Sequence, residues 1–157
     1  MIRDNELIFA TATSPTTTNI ALASNILDTG PLASSPFANV GNDLGAGEEM
    51  WLEILITTVG LSAASASQIH FELVTASASD LTSFTVLAQT TPESAPAYTV
   101  GRRIRLALPT NSTAYRRYLG VNCEITLGVL SSLAYSAYLV KQPDTYKAYA
   151  PGFKLDG

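Results

Sequence analysis

From Tyr118 to Leu127 the apolar residues fall on every second position. Leu119, Val121, Cys123, Ile125 and Leu127 make one set, and Tyr118, Gly120, Asn122, Glu124 and Thr126 lie between them. A period of two places one set on each face of a pleated strand and excludes the stripe of an amphipathic helix. The same signature recurs upstream. In residues 50–59, Leu52, Ile54 and Ile56 share one face, and Trp51, Glu53, Leu55 and Thr57 the other. Both of those faces are largely apolar, as in a strand lying between two layers. In residues 68–75, Ile69, Phe71 and Leu73 oppose His70, Glu72 and Val74. After Leu127 come Gly128, Ser131 and Ser132, where the chain can turn back into a second apolar run, Leu133 to Val140. That order predicts a hairpin between the two runs.

No stretch of 11 or more residues keeps the i, i+3, i+4, i+7 spacing of a helix. The remaining strand candidates are short: Leu7-Ile8-Phe9, Ile26-Leu27, Phe84 to Ala88, and Gly101 to Leu108. About eight short strands divided by Gly, Pro and Ser turns predict an all-β fold, a two-sheet sandwich of jelly-roll type. The threonine-rich segment 11–23, with Pro15, reads as an extended arm or an irregular edge, and 32–47 as a long loop. The expected organisation is an N-terminal arm and first strand over residues 1–24, a jelly-roll domain over 25–142 and a short C-terminal tail over 143–157.

Charge is sparse and uneven. Only 14% of the 157 residues are charged, against a usual quarter. Up to Val100 the only basic side chain is Arg3, against ten acids; from Arg102 onward eight basic residues face three acids. A negative first part and a positive last part suit like molecules packing side by side. They suit nucleic acid poorly, since the chain is acidic overall and has no long basic run with interleaved aromatics. No run of 18 apolar residues predicts a membrane-spanning helix, and residues 1–6 lack the pattern of a signal peptide. The single cysteine, Cys123, excludes an internal disulfide; on the apolar face of its strand it reads as a buried thiol, compatible with a reducing compartment.

The residues give little catalytic chemistry. His70 is the only histidine, so a histidine-based zinc site and an EF-hand-like pattern lack ligands, and a Ser-His-Asp triad would have to use it as base. In its alternating strand it reads as an exposed or pairing side chain. Glu48 and Glu49 are adjacent and would point to opposite faces of a strand, which does not make a facing carboxylate pair. Gly45-Ala46-Gly47 is followed by those two glutamates, which would repel phosphate, and reads as a turn. Asn111-Ser112-Thr113 matches a glycosylation sequon but reads as a turn as well. No catalytic residue, cofactor, metal or small-molecule substrate is expected.

Arginine is the richer signal. Arg102, Arg103 and Arg105 open one strand, with Arg103 and Arg105 on the same face, and Arg116 and Arg117 open the next. Were those strands neighbours, four or five guanidinium groups would gather at one end of a sheet. Guanidinium binds carboxylate bidentately and is favoured at interfaces. The two readings are pairing within the chain, to Glu48, Glu53 or Glu93, and contact with an acidic patch on another subunit.

Several pieces, in this order and spacing, resemble the jelly-roll capsid cement, or head decoration, proteins of tailed double-stranded DNA bacteriophages, the family typified by a Bordetella podophage protein. They are Asp4 with Leu7-Ile8-Phe9; Ser24-Asn25-Ile26-Leu27-Asp28-Thr29-Gly30; Gly45-Ala46-Gly47-Glu48; Ile69-His70-Phe71-Glu72-Leu73-Val74-Thr75; Leu108-Pro109; Arg117-Tyr118-Leu119-Gly120-Val121; and Ala134 with Ala137-Tyr138-Leu139-Val140. The resemblance implies a homotrimer on the outside of the phage head in the virion, assembled in the host cytoplasm, bridging neighbouring major capsid proteins without enzymatic activity. It implies no nucleic acid or membrane partner. Arg102, Arg103, Arg105, Arg116 and Arg117 are then the polar candidates for partner contact, and Leu7, Ile8 and Phe9 the apolar ones. The sequence departs from the family in its longer tail after Pro143 and at Thr11 to Thr18. The alternative is a carbohydrate-binding jelly-roll module of a tail fibre or spike, with Trp51, Tyr98, Tyr115, Tyr146 and Tyr149 as stacking platforms. A hydrolase would need a cleft joining Glu48 or Glu49 to another carboxylate.

Overall fold

The computed structural model describes residues 7–15, 19–30, 50–60, 67–109, 115–126 and 132–141, the side chains of 19–21, 60 and 132 excepted. Among the described residues ten strands follow one another: β1 (Ile8–Thr13), β2 (Asn19–Leu22), β3 (Leu27–Asp28), β4 (Met50–Gly60), β5 (Gln68–Ala76), β6 (Thr85–Gln89), β7 (Glu93–Ser94), β8 (Arg103–Ala107), β9 (Tyr118–Thr126) and β10 (Ser132–Lys141). Between β7 and β8 lies a single 3-10 turn, Ala95–Ala97. No helix among the described residues is long and apolar enough to cross a membrane.

The strands form two antiparallel sheets. One runs β1-β10-β4-β8, and the other runs β2-β9-β5-β6 with β3 beside β9 and β7 beside β5. Strand by strand the pairing is nested: β5 with β6, β4 with β8, β2 with β9, β1 with β10. This is what results when one long hairpin, folded at β5–β6, is rolled over itself. The all-β, two-sheet sandwich of jelly-roll type is therefore the observed fold.

The expected hairpin between residues 118–127 and 133–140 does not exist. β9 sits inside one sheet and β10 inside the other. The apolar set on each strand is the reason. Leu119, Val121, Cys123 and Ile125 of β9 and Leu133, Tyr135, Ala137 and Leu139 of β10 all belong to one core cluster. Each strand offers that set to the opposite sheet, which buries both. Segment 11–23 resolves in favour of the edge: residues 8–13 and 19–22 are the outer strands of the two sheets. Ala12 in β1 has φ 46, a left-handed conformation that lets the edge bend at one residue.

The core lies between the sheets. Phe9, Leu52, Ile54, Ile56, Ile69, Phe71 and Leu73 join the β9 and β10 residues there, each at most 1% exposed. Full burial of a side chain of this size stabilises by about 1.5–3 kcal/mol. Phe71 meets Tyr135 and Tyr98 edge-on, with ring centroids 5.0 and 6.1 Å away. The Tyr98 hydroxyl donates to the Ile69 carbonyl (2.8 Å), so the buried ring carries no unmade hydrogen bond there. A second, smaller cluster covers part of the outer face of the β5–β9 sheet. The turn after β5 folds back so that Leu81 packs on Val74 and Ala76, with Leu22, Ile26, Phe84 and Tyr118 around them. Gly120 lies beneath it, and a Cβ there would displace the Cδ1 end of Leu81.

Candidate functional site

The strand alternation of β4 sends Leu52, Ile54 and Ile56 into the core and leaves Glu53 on the outer face of its sheet. Glu53 is nevertheless only 1% exposed. Its cross-strand neighbours explain this: Tyr138 stands opposite it on β10 and Arg105 opposite it on β8. The Tyr138 hydroxyl donates to Oε1 (2.7 Å), Arg103 Nη1 to the same oxygen (3.1 Å), and Arg105 Nε to Oε2 (2.9 Å). Burial pushes the Glu53 carboxyl up, but the Tyr138 hydrogen bond and the two arginines outweigh it and hold it below the usual carboxylate range. Arg103 and Arg105 thus share a face, as their spacing predicts. The Arg103 side chain remains 46% exposed and has a single hydrogen bond among the described residues. Most of its donor fork still faces outward.

The other arginines do not join this pair. β8 edges one sheet while β9 is interior to the other, so the expected gathering of four or five guanidinium groups is not formed. Arg102 lies in the turn before β8 and binds Glu93 of the opposite sheet bidentately (2.7 and 2.8 Å). It also donates to the Ala97 carbonyl (2.7 Å) and stacks over the Tyr98 ring. Arg117 binds Asp28 bidentately (2.9 and 2.8 Å) and stacks over Tyr118. The backbone beneath Arg116 and Arg117 is pinned by two threonines. The Thr29 hydroxyl donates to the Arg117 carbonyl (2.7 Å), and the Thr75 hydroxyl accepts from the Arg116 amide (2.8 Å). Arg116 itself is exposed and its guanidinium has no ion pair among the described residues. Pairing within the chain therefore accounts for Arg102, Arg103, Arg105 and Arg117. The acidic early part and basic late part of the sequence meet inside one molecule.

The apolar candidates separate as well. Phe9 is 1% exposed in the core and serves the fold, which removes it as a surface contact. An irregularity of register between Ile8 and Ala10 lets the consecutive Phe9 and Ala10 both point inward. Leu7 is half-buried against the core, and Ile8 pairs with Tyr138, which puts it beside the Glu53 group on the outer face. Among the aromatic candidates, Tyr98 is buried and Tyr115 is tied to the Pro109 carbonyl, its hydroxyl donating at 2.7 Å. Trp51 is half-buried. Tyr146, Tyr149, Glu48, Glu49, Gly45–Gly47 and the Asn111 sequon lie outside the described residues.

The second sheet carries a polar group that sequence reading did not assemble. His70 is opposite Glu124, and Glu72 opposite Asn122, on adjacent rungs of β5 and β9. His70 is a buried, pairing side chain rather than an exposed one: its Nε2 lies 3.4 Å from Glu72 Oε1 and 3.2 Å from Glu124 Oε2. His70 and Glu72 share one face of β5, and Glu124 and Asn122, fifty or more residues further along, are brought to them by the register of β9.

The model of one protein family, Bbp16, matches residues 9–139, which spans both sheets from β1 to β10. No curated protein matches the chain.

Proposed function

The chain belongs to the Bbp16 family, which is named after a Bordetella phage protein, and on that premise we propose that it is a non-enzymatic structural protein of the virion, a cement protein of the phage head. It binds the outer surface of the head and bridges neighbouring major capsid proteins as a homotrimer. The observation that carries this reading is the family match along nearly the whole jelly roll. Two features support it. The outer face of the β1-β10-β4-β8 sheet holds a rigid carboxylate–arginine group from which Arg103 projects, with Ile8 beside it. The exposed Arg116 adds a second cation on a pinned backbone. Cement works through several modest contacts made at once, so that multivalency supplies the affinity. The buried Tyr98 and the engaged Tyr115 weigh against a carbohydrate platform.

The test is addition of purified protein to heads lacking cement. Binding at fixed stoichiometry, with raised resistance of the heads to heat and with a trimeric mass in sedimentation, is the expected result. Arg103→Glu, which reverses a half-exposed charge while leaving Arg105 on Glu53, should weaken binding at least tenfold with the fold intact. A monomeric protein with no affinity for such heads overturns the proposal.

A further inference from the structure

We propose that His70, Glu72 and Glu124 form a binding site for one divalent transition-metal ion of the zinc class on the outer face of the β5–β9 sheet. The proposal does not rest on the head-binding reading.

The site is built from two rungs of one antiparallel ladder. His70 and Glu124 face each other directly, and Glu72 stands two residues along β5 from His70, on the same face. One ligand atom from each, Nε2 and two carboxylate oxygens, can be chosen so that no two lie more than 4.8 Å apart. The two contacts of the imidazole measure 3.4 and 3.2 Å. Charge-assisted hydrogen bonds are shorter, about 2.7–2.9 Å, and the bidentate arginine pairs of this protein keep to that range at 2.7–2.9 Å. A tetrahedral ion with bonds of about 2.0–2.2 Å has ligand-to-ligand edges of about 3.3–3.5 Å. The 3.4 Å contact matches that edge, and the 3.2 Å contact lies at the long limit of an ordinary N–H···O hydrogen bond. The Glu124 side chain, 31% exposed, has the freedom to close the remaining gap.

The charges point the same way. Glu53, Glu93 and Asp28 each face arginine, whereas the only basic side chain paired with Glu72 and Glu124 among the described residues is His70. Glu72 is 6% exposed, and two neighbouring carboxylates with one imidazole leave net negative charge in a poorly hydrated place, which is costly without a cation.

A separate observation is Asn122, which is 0% exposed. Its Nδ2 donates to Glu72 Oε2 (2.8 Å), which turns the other oxygen, Oε1, toward His70. An amide bonded to one oxygen of a metal-binding carboxylate orients the other oxygen in this way. Its Oδ1, however, is buried with no hydrogen-bond partner, and a buried acceptor of this kind is normally satisfied. The Nδ1 of His70 is likewise buried without a partner, so the polar set around these three side chains is incompletely satisfied without a bound group. Imidazole with carboxylate oxygen suits zinc and its neighbours rather than calcium or magnesium, which favour all-oxygen shells. The ion would staple β5 to β9, the two central strands of that sheet.

The test uses the full chain, stripped with chelator and then dialysed against Zn2+, Mn2+, Ca2+ or Mg2+. One equivalent of zinc should survive gel filtration, and at a hundred times its dissociation constant zinc should raise the melting temperature by about 5–10 °C. Glu124→Gln, at the most exposed ligand, should leave the metal-free melting temperature within about 2 °C and abolish both the retained zinc and the rise. His70→Gln should abolish them too. Absence of retained zinc and of any thermal shift, or equal zinc retention by Glu124→Gln and His70→Gln, overturns the proposal. A response to Ca2+ or Mg2+ but not to zinc overturns the assignment of the ion.

Discussion

Replacing Glu53 by glutamine tests the centre of the arginine face. The change keeps the side chain's shape but removes the charge that three donors address, at 2.7, 2.9 and 3.1 Å. Breaking a fully buried ion pair costs about 3–5 kcal/mol, because the abandoned charge stays dry. Here the abandoned arginines are 46% and 30% exposed and water reaches them. Glutamine also still accepts one of the bonds. The expected loss is therefore lower, about 2–3 kcal/mol, most of it two charge-assisted hydrogen bonds. For a domain of this size that is a fall in melting temperature of about 4–12 °C. The pH dependence separates charge from packing. The Glu53 carboxyl is held below its ordinary value in the folded protein. Such a group adds stability that is complete above its unfolded pKa and is withdrawn as the pH falls through the lowered folded value. The gap between the native protein and Glu53→Gln should be full at pH 7 and close as the pH drops below about 4. Asp28, Asp80 and Glu93 are also held low, but they are present in both proteins and cancel in the difference. Thermal melts of both proteins from pH 7 to pH 3 measure the gap. A gap that stays constant across that range, or no gap at pH 7, refutes the reasoning.

Two further outcomes follow from the packing. Gly120→Ala should cost about 1–3 kcal/mol by driving Leu81 off its seat, and in a Leu81→Ala background the same change should cost less than 1 kcal/mol; strictly additive melts would show that Leu81 is not the obstacle. Burial pushes the Cys123 thiol up to about 12, so a thiol reagent at pH 8 should label the native protein only as fast as it unfolds, and rapid labelling without denaturant would place the thiol elsewhere.

The alternation at Leu119–Ile125 and at Leu52–Ile56 was enough to read strands, faces and an all-β sandwich, because one-sided burial fixes which residues point inward. Partner choice was not readable. A run such as Leu133 to Val140 satisfies its apolar face equally by pairing with β9 or by facing it across the core, and the nested jelly-roll order selects the second. The same limit governs the site. Arg103 and Arg105 are legible as a pair on one face, but Glu53 reaches them from fifty or more residues away, and Tyr138 reaches Glu53 from 85 residues away. Lone His70 looked like a residue without ligands until register set Glu124 opposite it. Phe9 reads from sequence as a partner-contact candidate because the bulge that turns it and Ala10 inward together is invisible in composition.

β10 is an interior strand, hydrogen-bonded to β1 on one side and β4 on the other. During synthesis β1 emerges about 125 residues before β10, its sheet partner among the described residues, whereas β4 waits about 45 residues for β8 and about 75 for β10. Loop-closure entropy must be met before those pairings return anything, which makes such topologies slow to fold. The β5–β6 hairpin can close early, whereas the four-strand order of the sheet bearing Glu53 and Arg103 cannot be completed until residues 132–141 have arrived. A chain stopped at residue 130 could still pair β4 with β8 and set Glu53 beside both arginines, but it would lack the Tyr138 hydroxyl and leave β1 and one side of β4 open to pair with other chains.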